Sequence, residues 1–152
     1  MQEIQKKNGE NGANRYIISH SEVPQSILEP FAFLKLCGWK KPTVDIIPLF
    51  ETVPDLKASP DVMETLYNNP VYREHLKRRG DKQTIMLGFS DGTKDGGYLM
   101  ANWSIYKAKE MLTEVSRKHG IKVVFFDGRG GPPARGGGKT HQFYASLGSG
   151  IE

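Results

Sequence analysis

The sequence predicts an α/β fold of parallel βα units, and three observations carry that expectation. Four short runs, "RYIIS" at 15–19, "TVDIIPLF" at 43–50, "QTIMLGFS" at 83–90 and "IKVVFF" at 121–126, are nearly continuous in apolar and β-branched residues. That is the pattern of strands buried on both faces. Stretches with helical spacing lie between them. The strand starts fall about 30 to 40 residues apart, which leaves room for the crossover that parallel pairing requires.

The opening "MQEIQKKNGENGAN" is polar throughout, so residues 1–13 are expected to be a flexible lead-in. After the first strand, a helix is expected over 24–37, kinked at Pro30 and stopped by Gly38. Cys37, near its end, reads as a small buried apolar residue. Beyond the second strand, Ser59 offers an N-cap and Pro60 a first helical position, with Val62, Met63 and Leu66 on one face. Arg73, Lys77, Arg78, Arg79 and Lys82 read as a solvated helix end. His75 and His119 read as structural or exposed, and His20 and His141 stay open. The third strand leads to the clearest helix, Gly97 to His119, where Leu99, Met100, Trp103, Tyr106, Met111, Leu112 and Val115 recur at spacings near three and four. Gly120 stands where its C-terminal cap belongs. The fourth strand runs into the glycine-rich "GRGGPPARGGGK". No repeat beyond the βα rhythm and no linker appears, so residues 14–152 are read as one domain.

Composition narrows the classes. The chain has 152 residues, 38% hydrophobic and 25% charged, as in an ordinary globular domain. Lys and Arg number 21 against 17 Asp and Glu, a net charge of +4 that suits small anions at least as well as nucleic acid. A single cysteine excludes an internal disulfide and points to a reducing compartment. No apolar run approaches a membrane span and the start lacks the core of a secretion signal. A cytoplasmic protein without membrane or nucleic-acid partners is expected.

Ligands of parallel α/β folds bind beyond the carboxyl ends of the strands, where loops and helix N-termini converge. Those ends carry Ser19 and His20, Glu51 and Thr52, Ser90, Asp91 and Lys94, and Asp127, Gly128 and Arg129. Glu51 and Asp91 can share a hard divalent cation, which takes its remaining ligands from water and substrate oxygens. Lys94 suits a phosphate as a point charge, whereas Arg129 offers a planar fork that holds two oxygens. Glycines such as Gly130 and Gly131 let backbone N–H groups approach an anion closely. Asp95 reads as a helix N-terminal acid rather than a ligand. A P-loop ending at Lys139 fails by counting, because Gly138 is in place but position 133 is proline. A dinucleotide fingerprint starting at Gly128 fails at the same proline.

"PLFETVPDL" at 48–56, "MLGFSDGTKDGG" at 86–97 and "FDGRGGPPARGGGKTH" at 126–141 resemble, in order and spacing, three segments of phosphoenolpyruvate carboxylase. "YLMANWSIYKAKEML" and "RYIISHSEVPQSILE" are similar too, so the resemblance runs from about residue 13 onward. It implies a (β/α)8 barrel of the TIM type, of which four βα units are about half, and hence a fragment of a longer enzyme. The implied reaction carboxylates phosphoenolpyruvate with bicarbonate to oxaloacetate and phosphate, by way of carboxyphosphate and the pyruvate enolate, with Mg²⁺ or Mn²⁺.

By that resemblance Glu51 and Asp91 match the metal ligands and Arg129 the phosphoryl-binding arginine. Lys94 lines the same pocket. Arg135 matches the second arginine of a mobile loop, catalytic and also serving an aspartate or malate effector. Arg129, Lys94, Asp127, Gly130 and Gly131 form the expected substrate-binding set. Three departures stand out: Asp127 replaces the usual histidine, "PPA" replaces a small-residue segment, and Lys139 replaces a proline. An anion at 127 should change affinity for bicarbonate or phosphate unless a neighbouring cation compensates. The family's catalytic histidine and further arginines, outside these segments, have no counterpart here.

A half-barrel leaves strand edges and an apolar interior open, so a homo-oligomer and little turnover by the chain alone are expected. Two other readings accompany this one. "GRGG" and "ARGGG" resemble RNA-binding RGG segments, although those occur as many repeats in disordered tails. Another metal-dependent enolate or phosphate enzyme on a similar barrel is the second.

Overall fold

A computed structural model describes residues 1–128 and 138–145. Helix α1 (Gln2–Asn8) and a 3₁₀ turn (Glu10–Gly12) precede strand β1 (Arg15–Ile18). Helix α2 (Pro24–Leu36), strand β2 (Asp45–Phe50), helices α3 (Val53–Asn68) and α4 (Pro70–Arg78) and strand β3 (Lys82–Gly88) follow. Helix α5 (Ser90–Lys118), strand β4 (Lys122–Gly128) and helix α6 (Thr140–Ala145) complete the described residues. Among these, no helix is long and apolar enough to cross a membrane.

The four strands are all parallel and lie in the order β1-β2-β3-β4. Each crossover therefore delivers the chain to the next neighbour, and the order never reverses as it does in doubly wound sheets. Helices α2, α3 and α5 contact one another in turn and pack on β2, β3 and β4. Among the described residues the sheet is not closed: β1 and β4 are its edges. This is the α/β architecture expected, an all-parallel sheet with helices that is consistent with part of a barrel.

Alternation along the strands separates the two faces. Ile46, Phe50, Ile85, Leu87 and Val123 turn towards the helices and are buried with Ile27, Phe31, Leu56, Met63, Leu66 and Leu112. Each such side chain contributes about 1.5–3 kcal/mol by leaving water. The other face carries the cross-strand row Leu49, Met86 and Phe126, and Phe126 is 49% exposed. A polar tie spans the helix side. Tyr72 donates to Gln83 Oε1 at 2.8 Å, and Gln83 Nε2 donates to the Ile46 carbonyl at 3.0 Å. Burial holds both tyrosines of this layer, Tyr72 and Tyr67, neutral by raising their pKa.

Several helices differ from the sequence expectation for local reasons. Helix α3 starts at Val53, six residues before Ser59, because Thr52 and Asp55 form a reciprocal capping box. Pro60 consequently lies inside the helix, where it withholds the N–H that the Leu56 carbonyl would accept. Ser59 Oγ donates to that carbonyl at 2.8 Å instead. The helix end expected around Arg73 to Lys82 belongs to a separate helix, α4, and Lys82 to β3; Asn69 starts α4 by accepting from the amides of Val71 and Tyr72 at 3.0 and 3.1 Å. Cys37 is exposed, since it caps the end of α2 beyond the buried Ile27 and Phe31. Helix α5 is broken at Gly97, whose φ of 78° and ψ of 171° lie where only glycine is at ease. The helical segment after the break is the one expected from Gly97 to His119. Residues 1–13 include α1, none of whose residues is buried. Gln5 ties it to the segments that lead into β1 and β2: its Nε2 donates to the Ala13 and Thr43 carbonyls at 2.8 and 3.1 Å.

Candidate functional site

The carboxyl ends of β1 to β4 form one rim because the strands are parallel neighbours. Glu51 is the single residue between the last residue of β2 and Thr52, the N-cap of α3. That short link leaves it little freedom. Its amide donates to Asp55 Oδ2 at 3.4 Å, alongside the Thr52 amide at 3.0 Å, and its own Oε2 accepts from the His20 amide at 3.3 Å. His20 reaches this position with a φ of 50°, the left-handed region that few residues other than glycine occupy. Ser21 secures the same corner: its Oγ donates to the Ile18 carbonyl at 3.0 Å and accepts from the Leu49 amide at 3.2 Å.

Asp91 lies in the first turn of α5, three residues past β3. Its Oδ1 accepts from Lys94 Nζ at 2.9 Å, and the two side chains are 48% and 78% exposed. A pair so open to solvent adds little stability. Both groups stay accessible to a ligand. The described bonds engage one oxygen of each carboxylate, Oε2 of Glu51 and Oδ1 of Asp91.

Asp127 behaves differently. Its carboxylate is turned to the helix side, opposite Leu87 in the ladder, with Oδ1 2.9 Å and Oδ2 3.0 Å from Lys109 Nζ. Both side chains are only 5% exposed. The compensating cation that an acid at this position calls for is therefore present, on α5. To bind substrate directly, Asp127 would have to leave that pairing.

Lys109, His20 and Asp55 were not singled out as site residues in the sequence. Lys109 had a legible signal: it falls on the apolar stripe of Ile105, Ala108 and Leu112, where a buried charge demands a partner. The roles of His20 and Asp55 arise from turns that bring sequence-distant or capping atoms onto Glu51. Arg129, Gly130, Gly131 and Arg135 lie outside the described residues, as does the side chain of Asp95.

Two hard-oxygen donors on one rim fit a magnesium-type ion, which uses one or two carboxylates and completes its shell with water and phosphate oxygens. Among the described residues no group of three or more His, Cys, Asp or Glu side chains gathers as an all-protein metal cage. A separate groove of about 410 Å³ runs between β1 and α2, lined by Tyr16, Ile18, Phe33, Leu34 and Cys37 and reaching Ser19 and His20.

A sequence profile of the family described as "Phosphoenolpyruvate carboxylase" matches residues 1–147. Curated relatives of that same name agree with it. The chain is 48% identical over 125 residues to one from Corynebacterium diphtheriae, covering 82% of this chain and 14% of the relative. It is 44% identical over 146 residues to one from Nitrosomonas eutropha, covering 92% and 16%. One from Rhodothermus marinus is also 44% identical over 146 residues, covering 87% and 16%. The chain thus spans 14% to 16% of the length of these relatives.

Proposed function

The chain belongs to the phosphoenolpyruvate carboxylase family, and from this premise we propose that it forms part of the site at which phosphoenolpyruvate and bicarbonate become oxaloacetate and phosphate. The observation that carries the reading is the shared rim. Adjacent parallel strands, β2 and β3, end one residue before Glu51 and three residues before Asp91, and Lys94 Nζ lies 2.9 Å from Asp91 Oδ1.

In this reading Glu51 and Asp91 hold Mg²⁺ or Mn²⁺. When bound, the ion supplies positive charge against phosphate and enolate oxygens. The His20 amide and the Asp55 carboxylate orient Glu51 from two sides, so that its carboxylate need not reorganise when substrate arrives. Lys94 is held close to Asp91 yet exposed, and it meets a phosphate oxygen as a point charge. Arg129 grips the phosphoryl group through two parallel N–H bonds while bicarbonate attacks phosphorus. The resulting carboxyphosphate releases CO₂, which the enolate carbon captures. Gly130 and Gly131 bring backbone N–H groups to the same anion, and Arg135 answers an acidic effector such as aspartate or malate. The reading includes a cytoplasmic setting. Turnover by this chain alone is low, because it supplies only part of the residues such a reaction needs.

Binding of Mn²⁺ tests the core of this. Titration followed by electron paramagnetic resonance, with phosphoenolpyruvate present, should show an affinity that falls at least tenfold in E51Q and in D91N. Affinity unchanged in both variants would remove the two carboxylates from the site.

A further inference from the structure

We propose that Lys109 is a positioning residue for this site: paired with Asp127, it fixes the carboxyl end of β4, from which the chain continues to Arg129, against the segment of α5 that follows Gly97. The proposal rests on the reading of Arg129 given above and names a residue that reading does not use.

Two independent features grip the end of β4. On the helix side, both Asp127 oxygens lie within 3.0 Å of Lys109 Nζ, and the ammonium also lies 5.8 Å from the Phe125 ring centroid. On the opposite side, Gly128 sits so close to β3 that an added methyl would stand 2.7 Å from Met86 Cε and 3.1 Å from the Leu87 carbonyl oxygen. The next residue is Arg129. Burial alone does not explain the pair, because an apolar pair of similar volume fills such a space at least as well. What an ionic pair adds is a defined geometry. Two oxygens on one ammonium tie the axial position of the α5 segment after Gly97 to that of β4. A hydrophobic contact permits sliding that this one resists.

The experiment compares the chain with K109M, D127L and the pair K109M/D127L, measuring thermal unfolding and, with Mg²⁺ present, phosphoenolpyruvate affinity by calorimetry. Each single variant should unfold at lower temperature, because it leaves one buried charge without its partner. The double variant should regain most of the lost stability yet bind phosphoenolpyruvate at least tenfold more weakly than the unaltered chain. Recovery of both stability and affinity in the double variant overturns the proposal, as does full stability in both single variants. K109Q/D127N takes the place of the apolar pair if that pair does not fold. If the unaltered chain binds no phosphoenolpyruvate, the functional reading fails for this chain and hydrogen exchange decides the proposal. Exchange at the Gly128 amide accelerated at least tenfold in the double variant, with Val123 unchanged, supports it. Equal protection at both amides refutes it.

Discussion

Gly88 and Glu51 touch across the ends of β3 and β2: a methyl group on Gly88 would stand 3.1 Å from Glu51 Cα and 3.3 Å from its Cγ. The glycine is thus what lets Glu51 stand flush against the neighbouring strand. Substitution G88A should push Glu51 outward, costing about 1–3 kcal/mol as overpacking does. It should also weaken Mn²⁺ binding by more than the stability loss accounts for. A variant destabilised in urea but with unaltered Mn²⁺ affinity would separate the two effects and sink the link.

The capping box gives a second prediction. T52A removes an acceptor for the Asp55 amide, at 3.3 Å, and should cost about 1 kcal/mol. D55A should cost more, up to about 2 kcal/mol, because the amides of both Thr52 and Glu51 lose the carboxylate they share. Urea unfolding of the two variants checks the order, and a larger loss in T52A contradicts it.

Ser59 and Pro60 should be non-additive. S59A leaves the Leu56 carbonyl without a donor in a buried setting, a loss of about 1–2 kcal/mol. In S59A/P60A the amide of residue 60 takes over that bond, so most of the loss should return. Equal stability of the single and double variants would show that the hydroxyl does not replace the missing amide.

His75 makes stability pH-dependent. Its ring is 1% exposed, stacked edge-on against Phe31 at 4.8 Å. Desolvation, then the Arg78 and Arg79 cations, lowers its pKa from 6.5 to about 4. The unfolded chain therefore binds the proton first as pH falls. This contribution is complete above about pH 6.5 and is lost on descending to about pH 4, a span worth roughly 3 kcal/mol. Urea midpoints measured from pH 7 to 4.5 should fall in the chain and stay flatter in His75→Leu. Parallel curves would assign the slope to other groups.

Open edges and apolar surface predict self-association. Ile17 is 45% and Phe126 49% exposed on the face away from the helices, while Leu99 and Trp103 are exposed on α5. Light scattering across a concentration series should show growth in mass, reduced in F126K and in L99K. A monomer at every concentration would refute this.

How much of this was legible beforehand follows from how local each signal is. The four strands were readable because each is a contiguous apolar run, and their parallel pairing followed from the length between them. Glu51, Asp91 and Lys94 could be named because a residue just past a strand inherits its place from the strand. Helix starts were less secure: "SP" at 59–60 imitates a cap as well as "TVPD" at 52–55 does, and only the reciprocal bonds of Thr52 and Asp55 choose between them. Cys37 looked buried by residue type, but the end of α2 turns it outward.

By itself the sequence determined the α/β class, the succession of strands and helices and the acids just past the strand ends, because these depend on periodicity and on residues adjacent in the chain. The tertiary structure alone decided which atoms meet across the chain. It paired Lys109 with Asp127 over 18 residues and set the His20 amide on Glu51 over 31. Such contacts depend on how helix and strand pack, and packing distances leave no mark in a one-dimensional pattern.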